Sequence, residues 1–364
     1  MVSPGSLNGR AAYSRLRRWF ARQARPLPWR GETDPYRVWV SEILLVQTTA
    51  TVAAKRYPRF LRRFPTLASL ARAPLAEVRK EWEGLGYYHR ARYLCQAARL
   101  ITVEHGGVFP TAYAAVHALP GVGDYVAAAI MNFCFGGRIP PIDANVARVA
   151  ARLFAIRGDV RSGKVRASIR QHLQALMSTG RGSLWTDALI EVGALVCTPR
   201  QPRCERCPLR ADCCAYQHGK VAEYGLPRNP PARRDVNVAC GIIRRADGRI
   251  LIAQRPESGL LPGLWEFPGG KRKGHEPLAA TCRREIKEEL GITVIVDSKR
   301  MVIRHAYSHY NVRLHVFECR YRCGAPCALG CQRFRWARLG DLDRYAFPAA
   351  DRQIIAAIEG GSSS

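Results

Sequence analysis

No uncharged apolar run in the chain approaches about 18 residues, the length a membrane-spanning helix needs, which excludes a helical membrane protein. The first ten residues lack the long apolar segment of a secretory signal, so the protein is expected in the cytoplasm, nucleoid-associated in a bacterium. No internal repeat of fixed period is present. Acidic residues are scarce: 29 stand against 57 Lys and Arg, leaving a net charge of +28. A deficit of that size goes with a polyanionic partner, most often nucleic acid. The excess is mostly arginine, whose planar fork suits phosphate oxygens. Apolar residues are plentiful, at 47% of 364, enough to pack the cores of two domains of roughly 150 residues each. Cysteine is abundant too, and the 13 present are an odd number. In a reducing compartment they are expected to be thiols or metal ligands rather than disulfides.

Residues 11–217 read as helical. Apolar positions recur at helical spacing in Val38–Val52, Tyr125–Phe135 and Leu184–Val196, punctuated by prolines. Residues 218–235 are rich in Gly and Pro and read as a linker. From 236 to 357 the pattern becomes α+β. Short β-type runs at Val236–Ile243 and Arg249–Gln254 are followed by one helix, Glu276–Leu290, and strands near Thr293–Val296 and Val312–Glu318. The tail from Gly360 is expected to be disordered.

Four features carry chemistry in the helical part. Cys197, Cys204, Cys207 and Cys213 are spaced C-x6-C-x2-C-x5-C, and four thiols in one short loop imply a bound metal. Zinc is the generic alternative, although its commoner pattern has two C-x2-C pairs. The segment Leu119-Pro120-Gly121-Val122-Gly123-Asp124-Tyr125 lies between helical stretches. Its glycines permit a tight turn and leave bare N–H groups for an anion at the next helix's start. Asp143 follows, in Asp143-Ala144-Asn145. Glu42 sits among Val38, Trp39 and Ile43; on that stretch alone, a solvent-facing Glu is an equal reading.

Together these motifs resemble the endonuclease III and MutY family of DNA glycosylases. The cysteine loop is similar to that family's [4Fe–4S] loop (197–213), and the glycine turn to its helix–hairpin–helix. The resemblance implies that Asp143 is the catalytic carboxylate and Glu42 the general acid of an adenine pocket, with Tyr125 and Asn145 as polar helpers. Endonuclease III-type lyases carry at position 125 a Lys that forms a Schiff base; Tyr125 cannot, so a monofunctional enzyme is implied. Gly84-Leu85-Gly86-Tyr87-Tyr88 resembles a MutY motif in which the second tyrosine, Tyr88, wedges into the base stack. Gln47 and Thr48 belong to the pocket segment, and Gly121 and Gly123 would hold DNA. Two positions depart from the family pattern: Val46 replaces the first Gln of Leu-Gln-Gln-Thr, and Ala144 replaces a Gly.

Adenine is a poor leaving group until a ring nitrogen is protonated. A desolvated Glu42 with a raised pKa would supply that proton. Asp143 is expected to stay ionised against the developing sugar cation.

In the C-terminal part, Gly270-x5-Glu276-x7-Arg284-Glu285-Ile286-x-Glu288-Glu289-x-Gly291-Ile292 matches the whole Nudix box. Glu285, Glu288 and Glu289 share one helix face and form a candidate Mg2+ site. His305-Ala306-Tyr307-Ser308-His309 resembles the MutY loop whose Ser contacts 8-oxoguanine, so Ser308 is the candidate reader. Cys319, Cys323, Cys327 and Cys331 recur every four residues; zinc is conceivable there, and chance is the better reading.

The expected protein is therefore multidomain: an all-α helix–hairpin–helix glycosylase domain with a [4Fe–4S] loop, then an α+β Nudix-type domain. It would excise adenine opposite 8-oxoguanine, and opposite guanine, from double-stranded DNA as a monomer. The rivals are a thymine-mismatch or oxidised-pyrimidine glycosylase, a non-catalytic lesion sensor, and a free-nucleotide hydrolase.

Overall fold

Side-chain caps start many of the helices. Asn8 caps α1 (Gly9–Gln23), Asp34 with Pro35 starts α2 (Pro35–Leu45), and Thr49 starts α3 (Ala50–Arg63). The computed structural model describes residues 8–226, 233–307 and 310–360. The helices continue with α4 (Leu67–Arg72), α5 (Leu75–Glu81), α6 (His89–Glu104), α7 (Tyr113–His117), α8 (Asp124–Phe135), α9 (Ala144–Leu153), α10 (Gly163–Met177), α11 (Gly182–Leu195) and α12 (Cys214–Gln217). Strands β1 (Arg234–Arg244), β2 (Ile250–Gln254), β3 (Trp265–Glu266) and β4 (Gly269–Lys271) precede α13 (Leu278–Leu290). Then come β5 (Thr293–Ala306), β6 (Tyr310–Cys323), β7 (Arg333–Ala337) and α14 (Ala349–Gly360). None of the described helices is long and apolar enough to cross a membrane. Of the residues expected to be disordered, 361–364 lie outside the described residues, and Gly360 ends α14.

Packing divides the described residues into two units: those of 1–72 with 96–230, and those of 73–95 with 231–364. The first is the helical unit. Its core gathers Leu16, Val146, Val149, Leu173, Trp185 and Val192 from α1, α9, α10 and α11.

The second unit is built on a seven-stranded sheet ordered β3-β2-β1-β6-β5, with β4 beside β1 and β7 beside β2. β1 and β6 run parallel, and the other pairs are antiparallel. One sheet face packs on α14 through Ile242, Val316, Phe347 and Ile354. The other packs on α13 through Ala239, Ile243, Ile286 and Phe317. Residues 73–95 lie in the stretch that reads as helical in sequence, yet they pack here. Arg79 of α5, 5% exposed, pairs with Glu257, and Glu83 accepts from Phe347 N at 2.8 Å and pairs with Arg352.

Two elements differ from the sequence reading. The helical pattern over Val38–Val52 is two helices, broken at Val46–Thr49, where Gln47 takes a left-handed φ of +57°. Thr49 there caps the second helix, a short-range bond that hydrophobic periodicity does not reveal. Strands β5 and β6 run well beyond the short apolar segments that announce them, because their outer halves are polar and partly exposed.

Candidate active site

A cavity of about 970 Å3 opens in the helical unit, lined among others by Glu42, Gln47, Thr48, Gly121, Gly123, Tyr125, Asp143 and Asn145. These residues lie as much as a hundred positions apart in sequence. α2 carries Glu42 on its last turns, and α8 carries Tyr125 one residue past its start. Asp143 is the N-cap of α9. Gly121 has φ +77°, which a tight turn before α8 requires, and α8 starts with no side-chain cap, leaving N–H groups of its first turn unclaimed by a cap. Ala144 is the first residue of α9 and is not left-handed, so replacing Gly costs nothing in backbone strain there.

Glu42 is 4% exposed. Burial pushes its carboxyl up to about 8; Tyr125 opposes this by a hydrogen bond, while the charges of Asp187 and Asp143 add to it. Its Oε2 is buried with no partner. A neutral carboxyl with one unspent oxygen beside a cavity is a proton donor awaiting an acceptor. Asp143 is also raised by burial, but each of its oxygens has a donor. Oδ1 accepts from Val146 N at 2.6 Å and Oδ2 from Asn145 Nδ2 at 2.9 Å, bonds that favour the charged form. The two carboxyls thus sit in one cavity with opposite hydrogen-bond supply.

Asp187 of α11 is a further acid on this cavity, and it went unmarked in the sequence. Burial pushes it up to about 6, against the charge of its partner Arg30. Arg30 also donates to Glu191 Oε1 at 2.7 Å, and Arg25 Nε to Glu191 Oε2 at 2.9 Å. Glu191 is fully buried. Two acids one helical turn apart look like an ordinary solvated face; the arginines that hold them come from far along the chain.

Cys197, Cys204, Cys207 and Cys213 line one small cavity with Arg152, and none is in a disulfide. Burial first, and the neighbouring thiols after it, push Cys207 up to about 12 and Cys213 to about 11. Such thiols give up their protons to a cation rather than to water. Among the described residues no three His, Cys, Asp or Glu close on one point as ligands of a single ion, the arrangement a zinc site needs. The four free thiols that line this cavity are the donor set a thiolate-held group requires. Cys214 opens α12 and does not line this cavity. α9 ties the cysteine loop to Asp143. Arg148 donates to Asn145 Oδ1 at 2.8 Å and to Cys197 O at 2.7 Å, and Arg152 reaches Cys197 Sγ at 3.4 Å. Within the loop, Arg210 is taken by Glu205.

The remaining candidates lie in the sheet unit. Tyr88 is 3% exposed and its hydroxyl accepts from Gly84 N at 2.9 Å, while Tyr87 has φ +46°. Both line a cavity of about 310 Å3 with Leu261, His305 and Tyr307. Ser308 lies outside the described residues. In the Nudix box, Arg284 donates to Glu276 Oε1 at 2.7 Å, Glu285 Oε1 at 2.7 Å and Glu288 Oε2 at 3.0 Å. Hydrogen bonds from Arg284 draw Glu276 down to about 2. Glu289 turns instead to Gly269 N, and burial next to Glu266 pushes it up to about 8. Glu285 and Glu288 are thus engaged by Arg284, and Glu289 by a backbone N–H, rather than gathered around one cation. Cys319 is buried with its Sγ 4.0 Å from that of Cys282, whereas Cys323 and Cys327 are exposed. That second cysteine set does not converge.

A helical unit that sets two carboxyls and a glycine turn around one cavity is the frame of a base-excision glycosylase. Residues 40–175 match the HhH-GPD superfamily base excision DNA repair protein model, and residues 239–357 match the NUDIX domain model. A thermostable thymine-DNA glycosylase of known structure is similar at 30% identity and TM-score 0.53, over 58% of this chain and 97% of that one. An endonuclease III solved with DNA shares the fold at 22% identity and TM-score 0.51, over 60% of this chain and 99% of that one. The adenine DNA glycosylase of Mus musculus is 34% identical over 95% of this chain and 77% of its own length. That of Mycobacterium tuberculosis is 38% identical over 64% of this chain and 75% of its own length. The chain belongs to the adenine DNA glycosylase family.

Proposed function

We propose that this enzyme excises adenine paired with 8-oxoguanine, and with guanine, by a monofunctional mechanism. Glu42 carries the reading: a buried, protonated carboxyl with an unpartnered oxygen on the cavity wall. Once the adenine has left the stack and entered the cavity, Glu42 donates its proton to a ring nitrogen. The glycosidic electron pair leaves with the base. Asp143, each of whose oxygens accepts one hydrogen bond that favours the charged form, faces the sugar cation until water adds to C1′ and gives up a proton. Asn145 orients Asp143, and Tyr125 orients Glu42. Tyr125 is no amine, so no Schiff base forms and the abasic strand stays intact until alkali breaks it. Asp187, fixed by Arg30, offers an acceptor suited to an exocyclic amino group.

Gln47 and Thr48, on the break between α2 and α3, and Tyr88 are assigned to the opened base stack, and Gly121 and Gly123 to a backbone phosphate. Ser308 and its loop are assigned to the 8-oxoguanine. Cys197, Cys204, Cys207 and Cys213 would hold a [4Fe–4S] cluster, which supplies a structural clamp on the loop carrying Arg200, Arg203 and Arg206. The protein is taken to work as a monomer.

The test uses duplexes with adenine opposite 8-oxoguanine, guanine or thymine, read with and without alkali, beside Glu42→Gln. Alkali-dependent breaks at the first two pairs, lost in the variant, are expected. Breaks without alkali, or equal cleavage opposite thymine, would overturn the reading.

A further inference from the structure

The sheet unit carries a cationic face, bordering the Nudix box at Arg272, that the glycosylase cavity does not use. On β6, Leu314 and Val316 enter the core under α14, and Phe317 and Cys319 the core under α13. Arg313 and His315 therefore continue the α13 face. Register places Asn237 of β1 and Arg304 of β5 on either side of Arg313, and Ala239 and Val302 on either side of His315. Arg304 and Arg313 are directly opposed, with Cβ atoms about 5 Å apart, and like charges so placed repel.

Elsewhere on this hairpin arginines meet acids: Arg300 with Glu318 at 2.6 Å and Arg320 with Asp297 at 2.9 Å. Among the described residues, Arg304, Arg313 and Lys299 have no acid partner. The acid nearest in this register, Asp235, is engaged by Asn311 Nδ2 at 2.8 Å. His315 is 9% exposed, its Nε2 meets Asn237 Oδ1 at 3.2 Å, and its Nδ1 is buried without a partner. Burial, then Lys299, Arg313 and Arg272, hold its pKa down, and no acid offsets them. Arg272 donates Nε to the backbone carbonyl of Glu276 at 2.7 Å and meets no acid side chain among the described residues.

We infer that Arg304, Arg313, Lys299 and Arg272 form a docking face for the phosphodiester backbone of duplex DNA, separate from the groups that read bases. An anion seated between Arg304 and Arg313 would turn their repulsion into a shared contact. The inference rests on the chain's membership of a DNA-acting family and on charge complementarity. It does not need the 8-oxoguanine assignment.

The experiment measures affinity of the full-length protein for lesion-bearing and undamaged duplexes across a salt series. It compares the wild type, Arg304→Gln/Arg313→Gln and Arg320→Gln. The double variant should bind both duplexes roughly tenfold more weakly, with the slope of log K against log salt smaller by about 1 to 2. Single-turnover excision at saturating DNA should be unchanged, and Arg320→Gln, on an arginine already paired, should match the wild type. An unchanged slope in the double variant, or an equal drop in Arg320→Gln, overturns the proposal. Should the double variant fail to fold, Lys299→Gln, at an exposed position, carries the same test with a slope change of about 1.

Discussion

In the helical unit, Glu42, Asp143 and Asp187 share one cavity, and burial outweighs the compensation each receives. In the sheet unit, Glu276, Glu285 and Glu288 also crowd together, yet Arg284 stands among them. Acidic crowding is common to both, and the outcomes are opposite. Around the cavity, Glu42 is driven toward its neutral, proton-carrying form. In the Nudix box Arg284 answers Glu276, Glu285 and Glu288 and Glu276 is held firmly ionised, while Glu289, turned away from Arg284 and buried beside Glu266, is pushed up to about 8. A group of acids is therefore read by what faces it. An uncompensated buried carboxyl is poised for proton transfer, and an arginine-bound set fastens a helix to its loop.

The largest effect expected is on Glu42. Replacement by Gln should lower single-turnover excision by roughly 100- to 10,000-fold, the contribution of general acid catalysis of this kind, since Gln cannot donate the proton. The same variant should be more stable than the wild type at neutral pH. Glu42 is raised from 4.5 to about 8, so its favourable contribution is complete below pH 4.5 and is lost as pH rises toward 8. The stability gap between Glu42→Gln and wild type should widen across that window, to on the order of 3 to 5 kcal/mol, read by denaturant titration at several pH values. A gap that stays flat would put Glu42 at an ordinary pKa and break the contrast with the Nudix helix.

A smaller loss is expected for Tyr125→Phe. Its hydroxyl lowers Glu42, so removing it should move the alkaline limb of kcat/KM to higher pH and cost about tenfold in rate at neutral pH. Arg284→Ala sharpens the other side of the comparison. Glu276 should return toward the usual carboxylate range in an NMR titration, and excision in the helical unit should be unchanged. Because Glu276 is depressed, the stability it lends is present above pH 4.5 and lost as pH falls toward 2; the variant should lose that acid-range dependence. The smallest effect expected is on adding Mg2+. With Glu285 and Glu288 already on Arg284, millimolar Mg2+ should shift the melting temperature little, and 8-oxo-dGTP should release no pyrophosphate.

Most of the residues brought together in the helical cavity were legible in the sequence. Glu42, Tyr125, Asp143 and Asn145 were marked by motifs whose local geometry is short-range: a helix, a glycine turn, an N-cap. Asp187 was not, because its meaning depends on Arg30, and no local pattern predicts an ion pair across most of a domain. The break at Val46–Thr49 was hidden by apolar residues that continue a helical period through it. The membership of 73–95 in the sheet unit was hidden for a like reason, since Arg79 and Glu83 look like any charged helix face until Glu257 and Arg352 are placed beside them. Arg304 and Arg313 read as two scattered arginines, and only the strand register makes them neighbours.

The most direct test of the central claim is the protonation state of Glu42 itself. Infrared difference spectra of the full-length protein, with 13C-labelled glutamate and Glu42→Gln as the reference, would be recorded from pH 5 to 10. The account predicts a protonated carboxyl band, absent from the variant, that persists at pH 7 and titrates away near 8. A band that disappears near 4.5 would contradict it, and would leave the adenine without its proton donor.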